Sequence, residues 1–528
     1  MMKLVTVSEM VAIEKEANAL GLTYERMMEN AGRGLADVVS EEFGYLNEEG
    51  VLGLVGSGNN GGDTLVALTY LAEYGWPSNA YIVRPRPADD VLMALLRNAG
   101  GNIYELENDS ELDTLEMLLK ANTVLLDGVL GTGIRLPLRG KVPKVLCFIN
   151  NSITNLESAP IVVAVDVPSG IDSDSGESAP EIIPADLTVT MAAIKRGLLK
   201  FPAYKLVGDL QVVGIGLPDA GEGLESWRKV QSAVPDANWI RELLPTRSLD
   251  AHKGTFGTSL IIAGSTDYTG AAYLAGEAAY RSGAGLVTLA VPQPLHAALA
   301  GHLPECTWVL LPHEGGFISA EGSPLISGHL NRSTALLIGP GFGLKDTTKD
   351  FLSGILGQSE HLPSVVIDAD GLKLLSQIDG WHKQLPPSSI LTPHPGEMSV
   401  MTDIPTHEIQ ARRIEIAREY SALWGHIVVL KGAFTVITDP DGKTAVIPVA
   451  SPALARAGTG DVLAGLIVGL CAQGMDPFYA AVSGAWIHAQ AGLFAADQIG
   501  NTASVLASDV LNAIGDVMGE INTLAAQD

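Results

Sequence analysis

The sequence predicts two α/β domains in one chain, the first a doubly wound and mainly parallel sheet. Three observations carry that reading. Short apolar, β-branched stretches alternate with helical patterns along most of the chain, which is the rhythm of βαβ units. Glycine is abundant at 58 residues while aromatic side chains make up only 5%, a balance that suits many tight βα turns and not an all-β sandwich. The 528 residues exceed the roughly 250–300 at which one core stops growing, so two cores are expected.

The elements follow in order. Thr6 to Val39 is helical in pattern, with Met10, Ile13, Ala17 and Leu20, then Met27, Met28, Ala31 and Leu35, on apolar faces. Those methionines read as core or subunit packing. Strands are expected at Val51–Val55, Asn79–Val83, near Ile103, and at Thr123–Asp127, Ile161–Asp166, Asp186–Thr190 and Asp209–Val213. Helices are expected between them at Gly62–Tyr74, Asp89–Asn98 and Ser110–Lys120, and after Gly140. Residues 1–220 make the first domain. Leu217 to Asn238 loses the rhythm and gathers Pro, Gly and acidic side chains, which puts a linker at 221–239. Residues 240–528 make the second domain, with strands at Ser259–Ala263, Leu286–Val291, Ala335–Ile338, Ser364–Asp368, Ile427–Leu430, Phe434–Thr438 and Thr444–Pro448. Asp441-Gly442 marks a hairpin, because Asp-Gly accepts the positive φ of a tight turn. Helices from Asp461, from Asp476 and near Ser508 complete the pattern.

The formal net charge of −27 argues against binding to nucleic acid or an anionic membrane, which calls for a basic face. Cys147, Cys306 and Cys471 are odd in number and far apart, so neither a disulfide framework nor a zinc site is expected. The first residues carry Glu9, Glu14 and Glu16 and do not read as a signal peptide. No uncharged apolar run reaches the roughly 18 residues of a membrane helix. The expectation is a soluble cytoplasmic protein, and the apolar helix faces near its start fit a homo-oligomer.

Two glycine-rich turns end in aspartate. The first is Gly56-Ser57-Gly58-Asn59-Asn60-Gly61-Gly62-Asp63, in which Gly56, Gly58 and Gly61 match the Rossmann-like dinucleotide fingerprint after a strand and before a helix. The second strand then ends in Arg84-Pro85-Arg86, without the acidic residue that a ribose would want. Asp127 and Asp166 end two further strands on the same sheet edge. One such aspartate reads equally well as a turn or helix cap, but three carboxylates at three strand ends mark a site. Hard oxygen ligands of this kind suit a hard cation.

These motifs, with Asp127-Gly128-Val129-Leu130-Gly131-Thr132-Gly133 and Asp166-Val167-Pro168-Ser169-Gly170, resemble the NAD(P)H-hydrate epimerase family over about residues 1–220. The resemblance implies a potassium ion near Asn60, Asp127 and Ser169. It implies substrate contacts at Asn59, Asn60, Gly61, Gly62 and Asp63, at Gly131, Thr132, Gly133, Ile134, Arg135, Leu136 and Pro137, and at Asp166. The reaction would invert the hydroxyl-bearing C6 of a hydrated nicotinamide ring. A carboxylate, Asp127 or Asp166, would accept and return a proton or aid ring opening.

The second turn, Ala457-Gly458-Thr459-Gly460-Asp461, opens a helix. Its glycines let backbone approach a phosphate, and the helix start favours negative charge. Asp461 is placed to take a hydroxyl proton during phosphoryl transfer. No P-loop motif occurs. Lys431-Gly432-Ala433 ends one strand, and Thr392-Pro393-His394-Pro395-Gly396-Glu397 presents His394 and Glu397 from a rigid loop. Gly339-Pro340-Gly341-Phe342-Gly343 and Asp368-Ala369-Asp370-Gly371 supply further strand-end turns.

Together with His252-Lys253-Gly254-Thr255-Phe256-Gly257 and Tyr268-Thr269-Gly270-Ala271-Ala272, these motifs resemble the NAD(P)H-hydrate dehydratase family over about residues 240–520. The resemblance implies a ribokinase-like α/β fold, with substrate contacts at Ala271, Gly341, His394, Pro395, Gly396, Glu397 and Asp461. Nucleotide contacts would fall on Lys431, Gly432, Ala433, Phe434 and Thr435, and on Gly458, Thr459 and Gly460. The implied chemistry phosphorylates the C6 hydroxyl with help from Asp461 and Mg²⁺, and loss of phosphate then restores the dihydronicotinamide. ADP is the implied donor, yielding AMP, although the residues themselves do not separate ADP from ATP. The joint expectation is repair of hydrated NADH and NADPH in two steps. The alternative is a small-molecule kinase with an N-terminal nucleotide-binding module.

Overall fold

The computed structural model describes residues 1–358 and 362–523. The end of the expected second domain, 524–528, lies outside the described residues. The chain divides into two compact units, Met2–Val230 and Gln231–Asp528. Both are α/β with mainly parallel sheets, as the βαβ rhythm predicts.

The first unit holds β1 (Met2–Val5), β2 (Val51–Val55), β3 (Ser78–Ile82), β4 (Asn102–Glu105), β5 (Val124–Gly128), β6 (Ile161–Val165), β7 (Leu187–Met191), β8 (Ile194–Lys195) and β9 (Asp209–Val213). Seven of these run in the order β4-β3-β2-β5-β6-β7-β9, every pair parallel. β1 and β8 pair in parallel, Val5 opposite Lys195. The order reverses between β2 and β5, where loops leave in opposite directions and open a crevice at the carboxyl ends. Successive residues of β2 serve opposite layers: Val51 and Val55 join one core, and Leu52 and Leu54 the other. This is the period-two alternation of a strand covered on both faces.

The helix after β2 departs from the sequence expectation. It begins at Asn59, with Gly58 as an extended N-cap, rather than at Gly62. Asn59, Asn60 and Asp63 therefore sit on the opening turns of a helix and not on a loop. The physical reason is close packing: a Cβ at Gly61 would fall 2.0 Å from the Gly56 carbonyl oxygen, and one at Gly56 would fall 2.0 Å from that of Val129. The glycines let the helix start directly on the strand end. Arg86 reinforces the turn, donating to the Gly56 carbonyl at 2.8 Å and pairing with Asp90 at 2.7 Å.

Residues 221–239, read above as a linker, carry regular structure. They hold the helix Glu225–Lys229, the strand β10 (Ser232–Val234) and the start of the helix Ala237–Leu243. Elements this short leave no readable periodicity. The first is fastened by Glu16, whose carboxylate accepts from the backbone of Glu225 and Ser226 at 2.9 and 2.8 Å.

The second unit continues with β11 (Thr258–Ile262), β12 (Leu286–Pro292), β13 (Thr307–Leu311), β14 (His313–Glu314), β15 (Phe317–Ile318), β16 (Ala335–Ile338), β17 (Ser364–Ile367), β18 (Ile390–Leu391), β19 (Ile427–Leu430), β20 (Val436–Thr438) and β21 (Thr444–Val446). Its main strands follow the order β13-β12-β11-β16-β17-β18-β19-β20-β21-β10. They are parallel except where β20 pairs antiparallel with β19 and β21, and the turn after β20 contains Gly442 at φ +91°. The order reverses between β11 and β16, giving a second crevice. The helix Thr459–Ala472 is buried along nearly its whole length against the helix Thr269–Arg281, where a Cβ at Gly465 would lie 2.3 Å from the Ala275 carbonyl oxygen. Among the described residues no helix is long and apolar enough to cross a membrane, and Cys147, Cys306 and Cys471 are unpaired.

The packing around the first glycine turn gives a direct test. Gly61→Ala is expected to lower stability by about 1–3 kcal/mol or more through overpacking against backbone. Gly44→Ala, where a Cβ would meet nothing within 4 Å, should stay within about 0.5 kcal/mol. Urea denaturation of the two variants makes the comparison.

Candidate active sites at two strand-end crevices

The crevice at the β2/β5 switch opens into a cavity of about 730 Å³ lined by Asn59, Asn60, Arg84 and the segment 129–139. That segment includes the expected Gly131, Thr132, Gly133, Ile134, Arg135, Leu136 and Pro137. A second chamber of about 190 Å³ shares Asn59, Asn60 and Thr132 with it. Methionines 10, 27 and 28 line this chamber, together with Glu14, Asp63, Asp166 and Lys195. Gly61 and Gly62 lie in the buried helix turn instead.

Asp166 leaves β6 with φ +65°, a left-handed conformation that aspartate tolerates better than most side chains. Its Oδ1 accepts from Thr190 Oγ1 and the Met191 backbone, both at 2.9 Å, and from Lys195 Nζ. Lys195 is 1% exposed and also donates to Thr190 Oγ1 at 3.1 Å and the Met191 carbonyl at 2.8 Å. All three of its protons are thus engaged. Asp63 is 7% exposed and receives no hydrogen bond from any described residue. Burial, then the negative charges of Asp166 and Glu14, holds its carboxyl well above the usual carboxylate range. Burial also raises Glu14.

Asp127 differs. It is fully buried, and burial raises its pKa against the lowering effect of donors from Ser169. Its Oδ2 accepts from the Ser169 backbone at 2.8 Å, while its Oδ1 has no hydrogen-bond partner. Ser169 Oγ accepts from the Leu130 backbone at 2.9 Å, and Asn60 Nδ2 donates to the Leu130 carbonyl at 3.1 Å. Asn60, Asp127 and Ser169 are thus knitted together through the turn after β5, and Asp127 does not reach the cavity wall. Sequence reading missed Lys195, Thr190 and Glu14. The available signal for Lys195 was a charged residue closing the apolar run Met191-Ala192-Ala193-Ile194.

In the second unit three strand-end segments and one helix start converge. Asp368, after β17, accepts from Thr392 Oγ1 at 2.7 Å and from Lys431 Nζ at 2.5 Å. Lys431, after β19, also lies 3.6 Å from Glu397. Asp368 and Glu397 hold the lysine's pKa up although burial works to lower it. A Cβ at Gly460 would be 3.6 Å from Lys431 Nζ, so the helix start at Thr459 faces the same ammonium. Gly458 opens that start at φ +91°. Asp461, on the first turn, is pushed up to about 7, by burial first and then by the charge of Asp368.

His394 proves to be a helix cap. Its Nδ1 accepts from the backbone of Gly396 at 3.0 Å and of Glu397 at 3.3 Å, and its Nε2 lies 3.2 Å from Glu397 Oε1. Pro395 is the first residue of the capped helix. Burial would raise Glu397, but the bonds from His394 and the charge of Lys431 bring it down to about 2. Behind Lys431, partly buried Arg413 donates to the Leu430 carbonyl at 2.8 Å and that of Lys431 at 3.2 Å, and desolvation lowers its pKa to about 10. Phe434 turns inward at φ +54°, and Thr435 Oγ1 bonds back to the Gly432 carbonyl at 2.9 Å. Ala433 lies within this turn. Ala271 and Gly341 meet across the β11/β16 switch, where a Cβ on Gly341 would lie 2.8 Å from that of Ala271.

Comparison with known proteins matches both halves. The NAD(P)H-hydrate dehydratase family model matches residues 259–515, and that of the YjeF-related protein N-terminus matches residues 24–197. A bifunctional NAD(P)H-hydrate repair enzyme of Moorella thermoacetica is 35% identical over 541 aligned residues, covering 99% of both chains. One of Salinibacter ruber is 35% identical, covering 95% of this chain and 93% of its own. A solved ADP/ATP-dependent NAD(P)H-hydrate dehydratase of Bacillus subtilis, co-crystallised with ATP and Mg²⁺, is 31% identical. It covers 55% of this chain and 99% of its own, with a TM-score of 0.47. Similarity along the full length, with each half matched by its own family, shows that the chain belongs to the bifunctional NAD(P)H-hydrate repair enzymes.

Proposed function

We propose that the first unit epimerises the R and S hydrates of NADH and NADPH, and that the second dehydrates the S hydrate at the expense of ADP. The observation that carries this reading is the contrast between the two strand-end sites. The first couples a dinucleotide-sized cavity to a chamber of carboxyl groups. The second sets Asp461, a carboxyl group that burial pushes up to about 7, near Lys431 on a glycine-opened helix start.

In the second site, Asp461 takes the C6 hydroxyl proton as the oxygen attacks the terminal phosphorus of ADP. The bond from phosphorus to the bridging oxygen breaks and AMP departs. Lys431 and the backbone N–H groups at Thr459 and Gly460 stabilise the charge on the phosphoryl oxygens. Phosphate then leaves C6 as C5 gives up a proton, which restores the dihydronicotinamide. Among the described residues no group of three or more Asp, Glu, His or Cys side chains is placed to hold a metal ion, and Asp368 and Glu397 are engaged by Lys431 and His394, so Mg²⁺ would enter with the nucleotide. Mg²⁺, when bound, supplies charge neutralisation at the nucleotide phosphates.

In the first site, Arg84, Arg135 and Arg139 along the larger cavity suit a diphosphate, leaving the chamber for the hydrated ring. The unpartnered Asp127 Oδ1, next to Asn60 and Ser169, fits a monovalent cation. Potassium held there would balance a buried carboxylate charge and stiffen the turn that lines the cavity. On this reading Asp127 holds the cation and does not carry the proton. A cytoplasmic location and a homo-oligomeric state belong to the same proposal.

The decisive assay follows recovery of NADPH absorbance from each hydrate with Mg²⁺, K⁺ and ADP or ATP. No recovery with either nucleotide would sink the dehydratase. Asp461→Asn should lower recovery from both epimers by about 100-fold or more while leaving R/S exchange intact. Asp127→Asn should slow use of the R hydrate and spare the S hydrate. The ionised form of Asp461 is the active one, so the S-hydrate rate should rise as pH increases through about 7. Asp368→Asn removes a negative neighbour, lowers the pKa of Asp461 and should move that rise to lower pH.

A further inference from the structure

Resting on the epimerase reading, the geometry points to Asp63 as the group that hands a proton to the ring nitrogen of the hydrate, with Asp166 taking the hydroxyl proton. Three observations carry this. Asp63 is 7% exposed, lines the chamber and receives no hydrogen bond from any described residue. A buried carboxylate without donors is costly, whereas the same group protonated is not. Asp166, which also lines the chamber, has the opposite environment, since its Oδ1 collects the hydroxyl of Thr190, the backbone of Met191 and the ammonium of Lys195. Lys195 has no proton to spare, because its other bonds go to Thr190 and the Met191 carbonyl. The other ionisable groups lining the chamber are Glu14, Tyr24, Asp166 and Lys195, two carboxylic acids and a phenol against one ammonium. Both acids raise Asp63 further, beyond the effect of burial.

The chemistry needs one acid and one base at once. C6 of the hydrate carries both a hydroxyl and the ring nitrogen. Asp166 removes the hydroxyl proton and the C6–O bond becomes a carbonyl. The C6–N1 bond breaks, and N1 takes its electron pair together with the proton of Asp63. Rotation about C5–C6 presents the other carbonyl face, and the reverse transfers close the ring, so no atom or electron is gained or lost. Loss of hydroxide instead would give a cation one C5 proton short of collapse to the dihydronicotinamide. Ring opening therefore inverts C6 without dehydrating it.

The test uses the full chain and the R hydrate with no nucleotide present, so that only exchange between epimers is read by chromatography. Asp63→Asn, isosteric with a neutral carboxyl group, is expected to slow exchange by about 100-fold or more. It should leave both the melting temperature and ADP-dependent recovery of the S hydrate unchanged. The parent enzyme should lose exchange at high pH, where Asp63 gives up its proton, and the residual activity of the variant should lack that loss. Exchange within about threefold of the parent, or an unaltered high-pH limb, would overturn the assignment. If Asp63→Asn loses its cooperative melt, Asp63→Glu decides, because the high-pH limb must then move, and an unmoved limb overturns the proposal. A parent enzyme that exchanges no R for S defeats the epimerase reading itself, a different failure from a parent that exchanges alongside an unaffected variant.

Discussion

Each unit places at least three carboxyl groups around one lysine, buried in the first and largely buried in the second, and most of the remaining chemistry answers to that imbalance. In the first unit Lys195 faces Asp166, Asp63 and Glu14. In the second, Lys431 faces Asp368, Glu397 and Asp461. A single ammonium in a poorly solvated site fully compensates only one carboxylate. Those left over must find donors, bind a cation or hold a proton. Glu397 finds donors in His394 and drops to about 2, whereas Asp461 has too few and rises to about 7. Asp63 has none and rises well above the usual range.

The fold creates that crowding. Parallel strands deliver their carboxyl ends to one edge, and the reversal of strand order opens that edge between β2 and β5 in one unit and between β11 and β16 in the other. Side chains one residue past each strand are then forced together. Asp166 follows β6, Asp368 follows β17 and Lys431 follows β19. Glycine permits the final approach, since side chains at Gly56 and Gly61 would collide with backbone. Charge is thus concentrated by topology before any ligand arrives.

The sequence reveals the strands well because each is a short apolar run with a turn signal behind it. Val51–Val55, Ala335–Ile338 and Ile427–Leu430 have the same bounds in sequence and structure. It also exposes those site residues that stand beside glycine or proline, such as Asp127, His394 and Asp461. It hides what depends on long-range pairing. β1 and β8 are too short to show a period, yet their pairing fixes the backbone of Lys195 opposite Val5. Asp368 appears in sequence as one more strand-end turn, and only the fold sets it 2.5 Å from Lys431. The start of the helix at Asn59 was obscured by glycines that favour a loop locally and a close helix–strand contact globally.

The two glycine turns that look alike in sequence separate by helix position. Asp461 is the third residue of its helix, which begins at Thr459, and Asp63 is the fifth of its own, which begins at Asn59. Stabilisation of an anion by the helix dipole fades within the first turn, so Asp461 feels more of it than Asp63 does. After burial, one lysine offsets part of the surrounding negative charge at each group: Lys431 against Asp368, Asp370 and Glu397 at Asp461, and Lys195 against Asp166 and Glu14 at Asp63. Burial raises both carboxyl groups, Asp63 well above the usual carboxylate range and Asp461 to about 7. In the proposed mechanisms Asp461 is the base in phosphoryl transfer and Asp63 the acid in ring opening. On that reading, a difference of two residues along a helix, combined with a different set of charged neighbours, divides the same motif between the two chemistries.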